Sequence, residues 1–554
     1  MDRELNTFSA TDLLTALSGV VGDQYVLSSD EMRQKHSTDT IPFRKTCTAV
    51  VYPASVAEIQ KIFKIAADFQ AEIWPFSRGN NWGYGTKNAL ENNAIILVLE
   101  RMNRILEVNE ELAYAVIEPG VSQEQLNHYL KQNNIKLWVD CTDSTPNGSV
   151  LGNAIERGYG YTPYGDHFEQ LCGLEVVLPT GEVIKTGGEH AEARTWHTLK
   201  WGSGPYFEGL FSQSNMGVVV KAGIWLMPEP DCFNLFSFEV SSEQSLPAVI
   251  DGLRTLSLEG TIQCHTHMVN AFQMLSLLTP YPYEMLSGTT YLSDAAMQQL
   301  RRKYHIADWS LIGGLYGTQE AVRANRTRVK NILSRLGTLE FFDERKIAFA
   351  ERFIHATESA NKSFLTTLAT SLLKPFISQK PLEVMRLLPE MAKILKGIPN
   401  ETILASAYFK SKKRPPAHNL NPAEDGCGII WLAPALPASG TVAQELLNIV
   451  KPLFRDYGFD FSACFTLMNS RTFFLLLGIF YDKENADEEA RALALFNALA
   501  QATREAGFEP YRLSITSMDR FMEKKPILKK LFSQIKLAVD PDNILAPGKY
   551  VNRN

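Results

Sequence analysis

GSVLGNAIERGYGYTPYGDHFEQLCGLEVVLPTGE, residues 148–182, strings small residues and the amide Asn153 into a cluster of glycines and tyrosines. Two apolar runs separated by Thr180-Gly181 follow, and a turn pair between such runs predicts a hairpin over LEVVLPTGEVIKTG (174–187). Upstream, PFSRGNNWGYG (75–85) packs four glycine or proline residues and two adjacent asparagines into the end of a strand. Such a passage can turn several backbone N–H groups toward an anion. It is neither GxGxxG opening a helix nor GxxxxGK[ST], so the two common nucleotide fingerprints are absent. Alone, it reads equally well as a turn.

Further outward, TCTAVVY (46–52), EIWPFS (72–77), AIILVLERM (94–102), AYAVIEPG (113–120) and VVVKAGIWLMP (218–228) read as strands. SVAEIQKIFKIAADF and SQEQLNHYLKQNN read as helices opened by Ser55 and Ser122. Residues 1–232 thus alternate strands and helices as one domain. After PEPDCF (229–234) longer helical patterns appear at 293–305 and 318–337, with strands at LFSFEVSSE and CGIIWLAPALP. That change predicts a second α+β domain over 233–504, with 505–554 as a helix and turn-rich tail. SFLTTLATSLLKPFISQKPLEVMRLLPEMAKILKGIP (363–399) reads as two helices broken at prolines, or as a basic, apolar surface for a membrane or partner.

At 554 residues the chain has room for two large domains, and 45% apolar against 21% charged residues is the balance of a soluble protein with a sizeable core. A formal charge of −6 argues against nucleic acid as a bulk partner. Seven scattered cysteines with no CxxC pair fit a reducing compartment. The first residues read as an amphipathic helix rather than a signal peptide, and no run reaches the ~18–20 apolar residues that cross a bilayer. The expectation is a cytoplasmic protein with no membrane span and no metal site.

YTPYGDH (161–167), GLFSQSNMG (209–217), the loop at 75–85 and APGKY (546–550) together resemble the vanillyl-alcohol oxidase/p-cresol methylhydroxylase family of flavoproteins, over about 45–232 and 425–550. The resemblance implies an α+β fold: a two-subdomain FAD-binding domain of the p-cresol methylhydroxylase type, to which the tail returns, and an α+β cap over the flavin. It implies that Ser77, Arg78, Gly79, Asn80 and Asn81 wrap the FAD pyrophosphate, and that Ser149, Gly152 and Asn153 line the flavin. Pro75, Trp82, Gly165, Asp166, Asn215, Gly217, Val218 and Lys549 complete the implied cofactor set, with Trp82 packed on the flavin. For phenol-oxidising members it implies that Tyr84, Tyr511 and Arg512 hold a phenolate while hydride leaves its para benzylic carbon, giving a quinone methide. Water then yields a hydroxylated product, an aldehyde or a ketone; O₂ or an electron carrier is the acceptor, and a homodimer or larger oligomer is expected.

The chain departs from that pattern at three places. EDGCGIIWLAPALP (424–437) holds no histidine or tyrosine for a covalent flavin link, only Cys427, with His418 upstream, so FAD is expected to be non-covalent. In WVDCTDSTPNGS the position of an acidic residue near flavin N5 aligns with Ser144, and Asp143 is the candidate acid, with Asp140 close by. Thr472, Phe473 and Phe474 replace paired histidines, predicting a more apolar site; His167 reads as structural. The competing expectations are an oxidase or dehydrogenase of a non-phenolic alcohol or amine, and a flavin-binding protein without catalysis.

Overall fold

In the computed structural model, residues 9–85, 87–187, 193–358, 381–520 and 522–551 are described. The chain is α+β, built on three main sheets. Three parallel strands, Cys47–Val51, Ala94–Val98 and Ile73–Phe76, make the first, edged by Val26–Leu27. Helix Val56–Phe69 crosses between two of them; Ser55 caps it by accepting from the Glu58 N–H, and Ile59, Ile62, Phe63 and Ala66 form its buried stripe. AIILVLERM is strand only to Val98, and Leu99–Arg101 turn into a 3-10 helix that redirects the chain.

The second sheet is antiparallel, in the order Ile105–Asn109, Tyr114–Ile117, Val218–Trp225, Leu171–Val177, Val183–Lys185. Its last pair is the expected hairpin, with Gly181 at φ +90°, where a side chain would be strained. The third sheet spans Cys232–Tyr481 in the order Gly337–Asp343, Cys232–Val240, Trp309–Gly317, His267–Asn270, Ala463–Asn469, Thr472–Tyr481, Gly428–Leu432, and Ala435–Pro437 also pairs with Thr472–Tyr481. Helices Leu246–Leu258, Gln319–Leu333, Gly440–Asp456 and Ala486–Glu505 supply the apolar residues of its principal core. Of the stretch 363–399, residues 363–380 lie outside the described residues; the remainder forms two short helices, Leu382–Met385 and Leu387–Ile394.

After helix Pro526–Val539 the tail returns to the first sheet. Ile73 donates its N–H to the Ile544 carbonyl and accepts from Ala546 N–H. The fully buried Lys536 secures this return: its Nζ donates to the carbonyls of Asn215 and Leu545 and to Asp540 Oδ2 at 2.6–2.8 Å. No described helix is long and apolar enough to cross a membrane.

Candidate active site

A cavity of about 950 Å³ lies where the glycine loop, the 148–161 segment, the third sheet and the tail converge. Pro75, Ser77, Arg78, Gly79, Asn80, Asn81, Trp82, Tyr84, Asp143, Ser149, Gly152, Asn153, Gly217, Val218, Tyr511, Arg512 and Lys549 all line it. Three glycines explain how the chains come so close. Gly83, at φ +79°, accepts from Trp431 N–H through its carbonyl, and a Cβ there would stand 2.1 Å from the Trp431 ring. A Cβ at Gly152 would lie 2.6 Å from Ser77 Oγ, and Gly79 sits at φ +70°. Ser149 Oγ caps its short helix by accepting from Gly152 N–H and donates to the Pro119 carbonyl.

One end of the cavity carries a buried arginine. Arg512 is buried; its Nε donates to the Glu156 carbonyl at 2.8 Å and its Nη1 to Asn81 Oδ1 at 3.1 Å. Its Cζ lies 5.2 Å from the centre of the Tyr84 ring and 5.5 Å from that of Tyr511. No carboxylate oxygen comes within salt-bridge distance among the described residues, and Nη2 has no protein partner. Burial works against the charge, but Tyr511, Tyr84 and Glu156 outweigh it and keep the guanidinium protonated. The Tyr84 hydroxyl faces Tyr511 without a well-aligned hydrogen bond, and burial holds its pKa well above 10. Long-range backbone bonds fix this geometry: Ile515 N–H donates to the Tyr84 carbonyl at 2.8 Å, and Tyr511 N–H to that of Ala433 at 3.1 Å. Glu156 completes the support. Burial pushes its carboxyl up, but Lys549, whose Nζ donates to it at 2.7 Å, and Arg512 hold it below the usual range.

The opposite wall was mostly invisible in the sequence. Tyr161 donates its hydroxyl to Asp143 Oδ2 at 2.6 Å, and burial still raises the Asp143 pKa despite that bond. His267, from the third sheet, stacks on Tyr161 at 3.9 Å and 21°; its Nε2 faces the Gly160 carbonyl and its Nδ1 the Thr466 hydroxyl, so both nitrogens are engaged. Burial, then His265, drops its pKa to about 3, so it stays neutral near pH 7. Tyr159 and Cys464 also line this wall, and Phe474 stacks on Tyr511 at 4.4 Å and 11°. The alternating Gly-Tyr pattern at 158–161 was the one available signal for Tyr159 and Tyr161; His267 and Cys464 had none.

Several expected residues fall elsewhere. Gly165 and Asp166 do not line the cavity: Tyr159 and Asp166 form a β-bridge, so this loop doubles back and puts Tyr159 and Tyr161 inward with Gly165 and Asp166 on the returning arm. Asn215 is also off the cavity, its Nδ2 donating to the carbonyls of Ala546 and Val551 to hold the tail. Thr472 starts its strand away from the site and Phe473 points into the core, leaving Phe474 as the member of that trio in contact with it. Asp140 is structural: Oδ1 accepts from the Tyr161 and Thr162 N–H groups, and Oδ2 pairs with His167, which also meets Asn153. Cys427 is buried in an apolar cluster and His418 is exposed; of 424–437, Ile429 and Trp431 line the cavity.

Residues 47–187 match an FAD binding domain. Across 99% of its length, and 98% of the relative's, the chain is 34% identical to a 1'-carboxy-chondrochloren decarboxylase of Chondromyces crocatus. It is 29% identical to the flavoprotein subunit of a hydroxylating 4-cresol dehydrogenase of Pseudomonas putida, covering 96% of this chain and 93% of that one. The chain belongs to the vanillyl-alcohol oxidase/p-cresol methylhydroxylase family. A 4-ethylphenol oxidase of Gulosibacter chungangensis, solved with isoeugenol, matches 99% of this chain and 98% of its own at 27% identity and a TM-score of 0.85. The protein is an FAD-dependent oxidoreductase of this family.

The cavity wall fits that cofactor. Arg78 Nε, Trp82 Nε1, Tyr84 Oη and Arg512 Nη2 are buried without a partner among the described residues, and all four residues line the cavity. Buried donors are seldom left unpaired, so a polar ligand belongs here. The closely approaching glycine backbones leave room for a phosphate-bearing one.

Proposed function

We propose that the protein takes hydride from the benzylic carbon of a para-substituted phenol bound as its phenolate. The observation that carries this is Arg512: a buried guanidinium without an ion pair among the described residues, set between Tyr84 and Tyr511, with Nη2 open. A phenol titrates near 10, so half-ionising it at pH 7 takes preferential binding of the anion by about 4 kcal/mol. One buried guanidinium and two hydroxyl donors are enough for that. The chemistry that bound FAD would supply here is acceptance of the hydride. Pro75, Ser77 to Trp82, Ser149, Gly152, Asn153, Gly217, Val218 and Lys549 hold the cofactor, without a covalent link. Residues 1–232 with 505–554 form its domain and 233–504 the cap.

Once hydride has left, the substrate is a quinone methide. Water adds to its exocyclic carbon, the ring recovers its phenolate electrons, and the water proton passes to Asp143 in its ionised form, with Tyr161 fixing that carboxylate. The final electron acceptor would be either O₂ or an electron carrier; the oxidase and dehydrogenase relatives support one each.

A second reading is favoured by the relative at 34% identity, named for a decarboxylation. If the carbon next to the benzylic one bears a carboxylate, the quinone methide accepts the C–CO₂ bonding pair. CO₂ leaves and a 4-hydroxystyrene remains; the hydride lost beforehand would go to the same acceptor.

The test is anaerobic mixing of the holoenzyme with 4-alkylphenols, their O-methyl ethers and 3-(4-hydroxyphenyl)propanoate. Bleaching of the flavin by phenols and not by ethers is expected. Release of CO₂ with the propanoate selects the second reading; bleaching by the ethers removes both.

A further inference from the structure

Helix Pro526–Val539 is apolar on two sides. Phe532, Ile535 and Val539 pack inward against the core that contains Leu513, Met518 and Tyr550. Its N-terminal half does the opposite. Residues 526–531, PILKKL, are all exposed, so the first turn and a half stands clear of the body. Ile527 is 86% exposed and Leu531 51%, and four of the thirteen exposed large apolar side chains in the described residues lie on this one helix. Lys524, Lys529 and Lys530 surround the tip without an ion pair among the described residues, on a protein whose net charge is −6. Solvent alone does not favour that arrangement, because exposed leucine and isoleucine gathered at one place mark an interaction surface.

We propose that this tip docks on an anionic lipid surface, with Ile527, Leu528 and Leu531 entering the headgroup layer and the lysines meeting lipid phosphates. The sign of the charge selects this occupant. A two-fold pair of this chain through the tip sets lysine against lysine, whereas an anionic leaflet complements both the charge and the apolar side chains. A short helix half entering the interface is compatible with a chain in which no described helix crosses a bilayer. The docking is peripheral and independent of which substrate the cavity takes.

The test is sedimentation of the holoenzyme with vesicles of phosphatidylcholine alone and of phosphatidylcholine with phosphatidylglycerol. Binding is expected to the mixed vesicles only, and to weaken as salt rises. Each lysine near such a surface is worth about a five-fold change in partitioning, so K529E/K530E should lower it at least about 25-fold. I527S/L531S should lower it at least about ten-fold, and both variants should keep their flavin content and substrate reduction. No sedimentation with anionic vesicles, or variants that bind as the wild type does, overturns the proposal. A wild type larger in solution than I527S/L531S overturns it too, assigning the tip to a second copy of the chain.

Discussion

Two sides of one cavity were built in different ways. The cradle side is made of two short runs of sequence, residues 75–85 and 148–153, and the form of each run follows from glycine and capping chemistry written at those positions. The clamp and the opposite wall join residues hundreds of positions apart: Arg512 to Asn81, and His267 to Tyr161 and Thr466. Local backbone rules make the first kind of site, and tertiary packing makes the second. The difference also separates consequences, since damage to the cradle should cost cofactor and stability, and damage to the far side should cost chemistry.

The largest effect is expected at the clamp. Arg512→Met removes the buried charge proposed to favour a phenolate and should slow flavin reduction by a phenol at least about 10³-fold, about 4 kcal/mol, with flavin content retained. Loss of the flavin along with the rate would instead make Arg512 part of the cradle. Next comes Gly83→Ala, which combines a positive φ with a Cβ driven into Trp431. It should cost about 3 kcal/mol, read as a lower melting temperature and weaker flavin retention. An unchanged variant would show that the loop has slack.

Asp143→Asn keeps the shape of the wall and removes the proton acceptor. Hydroxylated product should form about 10²-fold more slowly while the first reduction by phenol is changed far less; equal slowing of both steps would place Asp143 in hydride transfer. The smallest effect belongs to Glu156→Gln, about 2 kcal/mol of stability from the charged bond to Lys549. Because the Glu156 pKa is depressed in the folded protein, that stabilisation is complete above the ordinary value of 4.5 and is lost as the pH falls below it. The melting-temperature gap between wild type and variant should therefore close in acid.

How much was legible follows the same division. The hairpin at Thr180-Gly181, the capped helices and the strand before the glycine loop all carry period and punctuation in the sequence, and they form where those signals lie. Tyr511-Arg512 drew notice through the family's motif, because nothing in EPYRLS marks a buried charge. Gly165, Asp166 and Asn215 lie off the cavity lining, because motif membership does not say which arm of a loop faces a cavity. Phe473 and Phe474 are adjacent letters of similar chemistry, yet strand alternation sends one into the core and the other onto Tyr511. His267 had no signal because its role comes from a strand pairing, His267 with Thr466, set by the third sheet.

The ionisation state of a bound phenol tests the central claim most directly. A para-substituted phenol that has no benzylic hydrogen, mixed with the holoenzyme at pH 7, reports its own protonation by ultraviolet difference absorption. The account predicts a phenolate spectrum in the wild type and its loss in Arg512→Met. A neutral phenol bound as tightly to the wild type would contradict it.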